Sequence, residues 1–445
     1  MFQYNLSMVL LCCAAWNGAA HAQVDVQLQG QQEQVYPVYP NATADLKDVA
    51  VFKGLLAEKR IVAMGEATHG TKEFFNMKAK VAKYLVQECG FRSFVIEATY
   101  GGCQFVNDYV HGSEMAIEEV MSKLEFWTWQ TEEVKELVEW MRVYNTARPV
   151  ADQVSFIGCD MQSFQAPLTY LSHRFEQDSV SALVEWRNSV SPLVERDELT
   201  LFQALGAHRT EQLDTLNTVG TAAEDWFVRH DDALRERYGE ARLKELTFSL
   251  VNYRQAVRQL SARYGHRDSC MALNVASIEQ MVQGGVFVWA HNAHIRRAVG
   301  EPHHPAIGSS MGEYLGQLYG PAYYAIGFAH HQGKFKAVVG ARSLFGHMMK
   351  LLFRSKRLFK GIQECLLPPR KRNTLTTALA DTDIPAFFVD VAHSGNPLFS
   401  KPAKSYTNGA TFHNLNWSTE KIVVRDRYDG LVFIESTSSA EPLAK

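Results

Sequence analysis

Eight short runs of β-branched and aromatic residues constrain the fold of this chain more than any other feature, because each has the length and composition of a buried strand. The predicted strands cover residues 60–64, 92–96, 154–157, 286–289, 323–326, 336–339, 386–389 and 431–434. Helical stretches with one apolar face, such as 72–88 and 132–145, lie between many of them. This alternation predicts an α/β fold with a central, mainly parallel or mixed sheet flanked by helices.

Three stretches interrupt the alternation. Residues 166–265 lack strand signals and are rich in Leu, Ala, Glu, Arg and Gln, which predicts a helical insertion or subdomain. Residues 23–45 are polar and Gln-rich with two prolines, and we expect a lead-in arm there. Residues 340–375 are irregular and carry many basic side chains. This composition favours a solvated surface loop, and contact with an anionic surface is the alternative.

The first residues differ in character from the rest of the 445-residue chain. Residues 8–16 form a short apolar run, and the tripeptide that ends at Ala22 has the small residues of a signal-peptide cleavage site. We therefore predict a removed signal peptide at 1–22, a mature domain at 23–445, and a periplasmic or secreted protein.

Charge and cysteine content exclude several classes of protein. The formal net charge of −3 gives no electrostatic reason to expect a nucleic acid partner. No internal apolar run approaches the roughly 18–20 residues of a stable membrane span. Five cysteines remain after the predicted signal peptide, with no C-x-x-C pair. They do not form a disulfide framework and allow at most one or two bridges.

Ionisable residues recur directly after four of the predicted strands. They are Glu66 and His69, Glu97, Asp160, and the pair His291 and His294. Ligands of open α/β sheets bind at the carboxyl edge, where such loops converge. The sequence therefore predicts a polar active site at this edge.

The loop after the first of these strands has the sharpest chemistry. Gly65 and Gly70 bracket Glu66 and His69, which permits a tight turn. Across the three-residue spacing the carboxylate can orient the imidazole and raise its basicity. We predict that His69 removes a proton from water. A threonine that caps the following helix would be compatible with this role.

Two alternatives use the same residues differently. Glu66, His69, Glu97 and the His291/His294 pair are also of the ligand types that hold a first-row metal, so a divalent metal remains open. A non-catalytic protein that binds haem or a hydrophobic ligand through its histidines and aromatic residues is the second alternative.

Other motifs carry less information. Ser310 completes a G-x-S-x-G pattern, but no strand precedes it, and we predict that Ser309 or Ser310 caps the following helix and that Ser310 is not a nucleophile. No glycine-rich phosphate loop occurs, so no nucleotide cofactor is expected. Trp127 and Trp129, with Phe126, are candidates for the wall of an apolar substrate site, with core packing as the equal alternative.

Seven segments, in order, resemble the erythromycin esterase family and span nearly the whole predicted mature domain. They are GEATHGTKEFF at 65–75, FVIEA at 94–98, WTWQTEEVKELVEWMRVYN at 127–145, FIGCDMQ at 156–162, AHNAHIR at 290–296, MGEYL at 311–315 and YDGLVFI at 428–434. The resemblance implies that 23–445 is a hydrolase domain with a helical part covering the cleft. It also implies no cofactor and no required metal.

The resemblance further assigns roles within the site. His69 would be the general base, supported by Glu66, with Glu97, His291 and His294 completing the catalytic set. The substrate would be a small carboxylic ester, such as a macrolide lactone, cleaved by water without a covalent serine intermediate. Lys78 stands where family members often carry an arginine. It is a candidate substrate-binding cation, together with two arginines, Arg267 and Arg296.

Overall fold

A mixed β-sheet runs through the centre of the protein in the computed structural model, which describes residues 23–41, 45–194, 209–261, 266–297, 309–339, 361–369, 374–412 and 418–444. The predicted signal peptide at 1–22 lies outside these residues, as does most of the basic stretch 340–375. Within the described part, no helix is long and apolar enough to cross a membrane.

The strands of the described residues are β1 (Val24–Leu28), β2 (Gln31–Pro37), β3 (Ile61–Met64), β4 (Phe91–Thr99), β5 (Ser155–Asp160), β6 (Gly285–Trp289), β7 (Tyr323–Val339), β8 (Ile362–Leu367), β9 (Ala386–Val389), β10 (Ala403–Tyr406), β11 (Thr411–Phe412), β12 (Thr419–Ile422) and β13 (Gly430–Thr437). Nine of them lie side by side in the order β1-β2-β9-β13-β7-β3-β6-β4-β5. Strands β8 and β11 also pair with β7, and β10 and β12 form a separate antiparallel pair.

The middle of the sheet is parallel. Strands β13, β7, β3, β6, β4 and β5 all run in one direction, whereas β9, β2, β1 and β8 add antiparallel pairings. The predicted α/β class with a mixed central sheet flanked by helices is confirmed. The predicted strands at 323–326 and 336–339 are parts of one long strand, β7.

The lead-in arm predicted at 23–45 is wrong for its described residues, because β1 and β2 form a hairpin there. Gln29 and Gly30 form the turn with φ values of 50° and 78°, as a two-residue hairpin loop requires. Val26 and Leu28 alternate with glutamines and point into the core. This period-two pattern, in which polar Asp25 and Gln27 alternate with the apolar residues, defines the strand.

The irregular loop predicted at 340–375 is also wrong in part, because β8 lies inside it. Strand β8 pairs antiparallel with the end of β7, from Gly333 opposite Leu367 to Val338 opposite Ile362. The side chains of Cys365 and Leu367 are buried in a small cluster with residues of β7.

The described helices are α1 (Val51–Leu56), α2 (Lys72–Glu88), α3 (Tyr100–Val110), α4 (Ile117–Ser122), α5 (Glu132–Thr146), α6 (Gln165–Gln177), α7 (Leu183–Val194), α8 (Arg209–Arg229), α9 (Asp231–Ser261), α10 (His266–Met281), α11 (Asn292–Ile295), α12 (Met311–Tyr319), α13 (Leu375–Ala380), α14 (Pro397–Ser400) and α15 (Val424–Arg427). They cover both faces of the sheet. Along β3, Ile61 and Ala63 face one core, and Val62 and Met64 face the other.

Helices α6 to α9 account for most of the described residues in the stretch 166–265. They pack around an aromatic group in which the rings of Phe175, Trp186 and Trp226 have centroids 5.0–5.1 Å apart. Asn252 on α9 donates a hydrogen bond to the backbone oxygen of Asp160, over 3.0 Å. The helical region therefore contacts the sheet at the end of β5.

All five cysteines of the predicted mature domain lie in the described residues, and each is a free thiol. Stability therefore depends on the two cores and not on disulfide bridges.

His330 is an ionisable group enclosed in the core. It lies on β7, between the rings of Phe74 and Tyr406 at centroid distances of 5.3 and 5.4 Å. Neither of its ring nitrogens has a hydrogen-bond partner among the described groups. Burial, helped by the neighbouring His331, lowers the pKa of His330 to about 3. The folded protein therefore holds this ring neutral.

We expect His330→Phe to make the protein more resistant to acid. In the unfolded chain a histidine titrates near 6.5, so protons favour unfolding as the pH falls from 6.5 towards the folded pKa of about 3. Phenylalanine keeps the ring stacking but binds no proton. The variant should lose stability less steeply over this range, by up to about 1.4 kcal/mol per pH unit. Urea unfolding at several pH values measures the slopes. Equal slopes in both proteins would contradict this account.

Candidate active site

Four neighbouring parallel strands, β3, β6, β4 and β5, end at the same edge of the sheet. Their ends and the loops that follow carry Glu66, His69, His291, Glu97 and Asp160, and His294 lies on the short helix α11. The structure brings these side chains together through the contacts described next.

Glu66 is the centre of the first group. It is fully buried, and its Oε1 pairs with Nδ1 of His69. Its Oε2 accepts hydrogen bonds from Nζ of Lys78 and from Nε1 of Trp289, the latter over 3.0 Å. Burial alone would raise the pKa of Glu66, but the charges of Lys78 and His69 outweigh it and lower the pKa. Glu66 is therefore a carboxylate at neutral pH, and it holds the His69 ring.

Lys78 lies beneath this carboxylate and not at the surface of the cleft. Its side chain is 0% exposed, and its ammonium is 4.0 Å from the centroid of the Trp289 ring. Burial lowers the pKa of Lys78 to about 8, against the opposing effect of Glu66. The prediction that Lys78 binds the substrate directly does not fit this position, because helix α2 carries the side chain into the core below Glu66.

Glu97 is the centre of the second group. Its Oε1 accepts a hydrogen bond from Nη2 of Arg267 over 2.7 Å and lies 3.2 Å from Nε2 of His294. Its Oε2 accepts the backbone N–H of His291 over 2.8 Å. Burial alone would raise the pKa of Glu97, but His294 and Arg267 hold it well below its ordinary value.

Arg267 joins Glu97 to Asp160 at the end of β5. Its Nε and Nη2 donate to the two carboxylate oxygens of Asp160, over 3.1 and 2.7 Å. Burial alone would lower the pKa of Arg267, and the carboxylates of Asp160 and Glu97 raise it well above its ordinary value. The Arg267 side chain is still about a quarter exposed. Among the described cations of this group, it is the most accessible from the cleft.

His294 lies between two carboxylates. Its Nδ1 is 2.8 Å from Oδ1 of Asp268, and its Nε2 faces Glu97. Burial alone would lower the pKa of His294, but Asp268 and Glu97 raise it to about 10. His294 is therefore cationic at neutral pH, with Nδ1 directed at Asp268 and Nε2 lying between Glu97 and Nη1 of Arg267, which is 3.0 Å away.

His291 has the opposite protonation state. Its Nδ1 accepts the backbone N–H of Ala293 over 3.1 Å, so the ring proton must lie on Nε2. Burial and the neighbouring His69 lower the pKa of His291 to about 3. The centroids of the His291 and His69 rings are 4.9 Å apart. A neutral N–H donor therefore lies beside His69.

Two predicted substrate-binding residues lie elsewhere. Trp127 lines a separate cavity of about 510 Å³, next to the start of α5, and Trp129 is the tryptophan whose ring meets His69, at 6.1 Å. Arg296 is buried, and no described contact joins its side chain to His69, Glu97 or His294.

The sequence reasoning missed two important groups. Asp160 was noticed only as a residue at a strand end, although it is fully buried against Arg267. Asp268, which fixes His294, follows Arg267 directly in the chain. An Arg-Asp pair at the start of a helix was the available signal, but only the fold shows that it faces the ends of β4 and β5.

Ser310, one of the two predicted candidates, is the N-cap of helix α12. Its Oγ accepts the backbone N–H of Glu313 over 3.2 Å and donates to the backbone oxygen of Arg296 over 2.7 Å. The hydroxyl is fully engaged at the helix end.

A metal ion does not fit the carboxylates as they are arranged. The oxygens of Glu66 and Glu97 already accept hydrogen bonds from Lys78, Arg267 and other donors of the protein. In the part of the chain that the structure describes, no three His, Cys, Asp or Glu side chains form a group that could hold a metal.

Two solved structures that cover nearly all of this chain share its fold. A succinoglycan biosynthesis protein has a TM-score of 0.73 at 18% identity, covering 94% of this chain and 97% of its own. A mutant erythromycin esterase, EreC, solved in its open conformation, has a TM-score of 0.67 at 14% identity, covering 92% of this chain and 99% of its own.

Sequence comparisons identify the family to which the chain belongs. "Putative hydrolase YbfO" of Bacillus subtilis (strain 168) is 23% identical over 88% of this chain and 87% of its own. Erythromycin esterase type II of Escherichia coli is 26% identical over 26% of each chain. The erythromycin esterase family profile matches residues 86–437, which include Glu97, Arg267, His291 and His294 and begin after His69. The chain therefore belongs to the erythromycin esterase family, whose members are hydrolases that act on esters.

Proposed function

We propose that the protein hydrolyses a carboxylic ester, of the macrolide lactone type, by direct attack of a water molecule that His69 activates. The observation that carries this proposal is the pairing of His69 with the buried carboxylate of Glu66, beside the neutral ring of His291. Membership of an esterase family supports the reaction type.

His69 is the proposed general base. The Nδ1 proton is held by Glu66, which leaves the lone pair on Nε2, and no described group forms a hydrogen bond with Nε2. As the water oxygen attacks the carbonyl carbon, its proton passes to this nitrogen. The Glu66 carboxylate stabilises the imidazolium that results.

His291 is the proposed donor to the oxyanion. With a pKa of about 3 its ring stays neutral, so Nε2–H can donate a hydrogen bond without giving up its proton. A neutral imidazole can polarise a carbonyl in this way. His294 suits this role less well, because both of its N–H groups face carboxylates.

The second half of the reaction returns the proton. When the tetrahedral intermediate collapses, the bond between the carbonyl carbon and the alcohol oxygen breaks. The leaving oxygen takes the proton from Nε2 of His69, which gives the free acid and the alcohol and restores the base. Arg267 is the proposed cation for polar groups of the substrate, because its guanidinium is partly exposed between the two buried carboxylates.

We place this reaction in the periplasm or outside the cell, a proposal that depends on the signal-like residues 1–22. Opening a macrolide ring there would inactivate the antibiotic before it enters the cytoplasm.

Incubation of the mature protein with a panel of macrolides should yield a product heavier by one water, detected by mass spectrometry. His69→Ala should lower turnover by about 10²- to 10⁴-fold, because it removes the base but leaves the sheet unchanged. His393→Ala is the matched control, since that histidine is 79% exposed on the surface. A folded His69→Ala protein with full turnover, or the absence of any hydrolysed ester, would refute the proposal.

The pH above which activity falls should be set by the loss of the proton from Lys78. Below a pKa of about 8 Lys78 is charged and neutralises Glu66, and above it the charge is lost and the Glu66–His69 pair loses its cation. The rate should therefore fall as the pH rises through about 8. Lys78→Arg, which stays charged, should move this limit upward, whereas Lys78→Met should lower activity below about pH 8 and abolish this alkaline limit. An unchanged kcat/KM profile in Lys78→Arg would contradict the assignment.

Hydrolysis should be independent of added metal, because protein cations occupy the carboxylates that would otherwise be ligands. Activity should persist after dialysis against a chelator, with elemental analysis of the same sample. Activity that disappears on chelation and returns with a divalent metal would favour a metal-dependent hydrolase.

A further inference from the structure

Residues 438–443, here called the C-terminal strap, follow β13 and cross the beginnings of two helices. They lie beyond residue 437, where the family match ends. The strap pairs first with Thr71 and then with Thr131, the residues that precede α2 and α5.

The first crossing is at the start of α2. The backbone N–H of Lys72 donates to the oxygen of Ser438, and the N–H of Ala440 donates to the oxygen of Gly70, both over 3.0 Å. The carboxylate of Glu73 accepts the N–H and the hydroxyl of Ser438, over 2.7 and 2.6 Å. Three residues at the helix start are therefore held by the strap.

The second crossing repeats the same pattern at the start of α5. The N–H of Glu132 donates to the oxygen of Glu441 over 2.8 Å, and the N–H of Leu443 donates to the oxygen of Gln130 over 3.1 Å. The carboxylate of Glu133 accepts the N–H of Glu441 over 3.1 Å. In each crossing a glutamate in the second helical position binds the strap.

These contacts satisfy groups that a helix cannot satisfy itself. The first N–H groups of an α-helix have no partner within the helix. Here the strap supplies carbonyl oxygens to the first N–H of both helices, and the helices supply carboxylates to the strap. The two helix starts are therefore joined through one short segment.

Each crossing is adjacent to an aromatic ring of the candidate site. His69 immediately precedes Gly70, and Trp129 immediately precedes Gln130. The His69 and Trp129 rings meet edge to face at 6.1 Å, and Trp129 also donates to the backbone oxygen of Glu97 over 3.1 Å. The distance between the two crossings therefore affects where the His69 ring lies relative to the Trp129 ring.

We propose that the C-terminal strap is a positioning element for the reaction, which holds the turn that carries His69 at a set distance from the Trp129 loop. This inference rests on the proposed function of His69 as the general base. No strap residue contacts the reacting atoms. The strap acts through Gly70 and Gln130, each next to a ring of the site.

Ala440→Pro tests the inference, because proline removes the N–H that donates to Gly70. Ser439→Pro is the matched control, since the N–H of Ser439 donates to no described residue and the bond it loses, from Oγ to Glu364 on β8, involves neither helix start. We expect kcat to fall about ten- to a hundredfold in Ala440→Pro with KM within about twofold, because misplacing a catalytic group affects the chemical step. The Ser439→Pro protein should retain the parent kcat.

Glu73→Ala and Glu73→Gln are the second pair of variants, for the case in which proline prevents folding. Alanine removes both bonds to Ser438, whereas the glutamine amide oxygen can still accept from it. We expect Glu73→Ala to lower kcat and Glu73→Gln to restore most of it. A loss that is equal in both variants would contradict a positioning role for the strap.

Hydrogen exchange separates this inference from the proposed function. Peptides covering 65–72 and 126–132 should exchange faster together in Ala440→Pro, and neither should change in Ser439→Pro. Coupled exchange with unchanged kcat would overturn the positioning role, and so would unchanged exchange in 126–132. If the parent protein hydrolyses no ester, the proposed function fails. The test of the strap does not depend on that result. Hydrogen exchange, together with the NMR signals of the His69 ring in both variants, still decides whether the strap positions the ring.

Discussion

The buried carboxylate of Glu66 is the interaction on which the rest of the site depends. An isolated carboxylate in the core would be strongly destabilising, so the fold must supply donors around it. Lys78 from α2, Trp289 from β6 and His69 from its own loop supply them. Each donor comes from a different element, and the carboxylate therefore ties the helix, the sheet and the catalytic turn to one another.

Different surroundings give the two neighbouring histidines of the second group opposite protonation states. Glu97 and Asp268 make His294 a cation, whereas burial near His69 keeps His291 neutral, with pKa values of about 10 and 3. Environments that separate the titration of similar groups in this way commonly assign them different chemical tasks. In the proposed mechanism the neutral ring is the donor, and the cation holds Glu97 and so the backbone N–H of His291.

Much of the fold could be predicted, because the apolar pattern of a strand or helix lies within a short stretch of sequence. The parallel strands β3, β4, β5 and β6 lie where apolar runs predicted them. Strand β1, at the edge of the sheet, was missed because polar Asp25 and Gln27 interrupt its apolar residues, so it lacks the continuous apolar run of a central strand. Strand β8 was missed for a different reason, because its pairing with the end of β7 depends on contacts between residues about 25 to 35 positions apart.

The sequence by itself determined the α/β class and the set of ionisable residues at strand ends, Glu66 and His69 above all, because both follow from short-range patterns. Only the tertiary structure decided which side chains face the cleft. It placed Lys78 beneath Glu66, put Trp129 and not Trp127 beside His69, and brought Asp160 and Asp268 to Arg267 and His294. The physical reason is that burial and charge pairing arise from residues far apart in the chain, so neither the protonation nor the exposure of a group can be read from its neighbours in sequence.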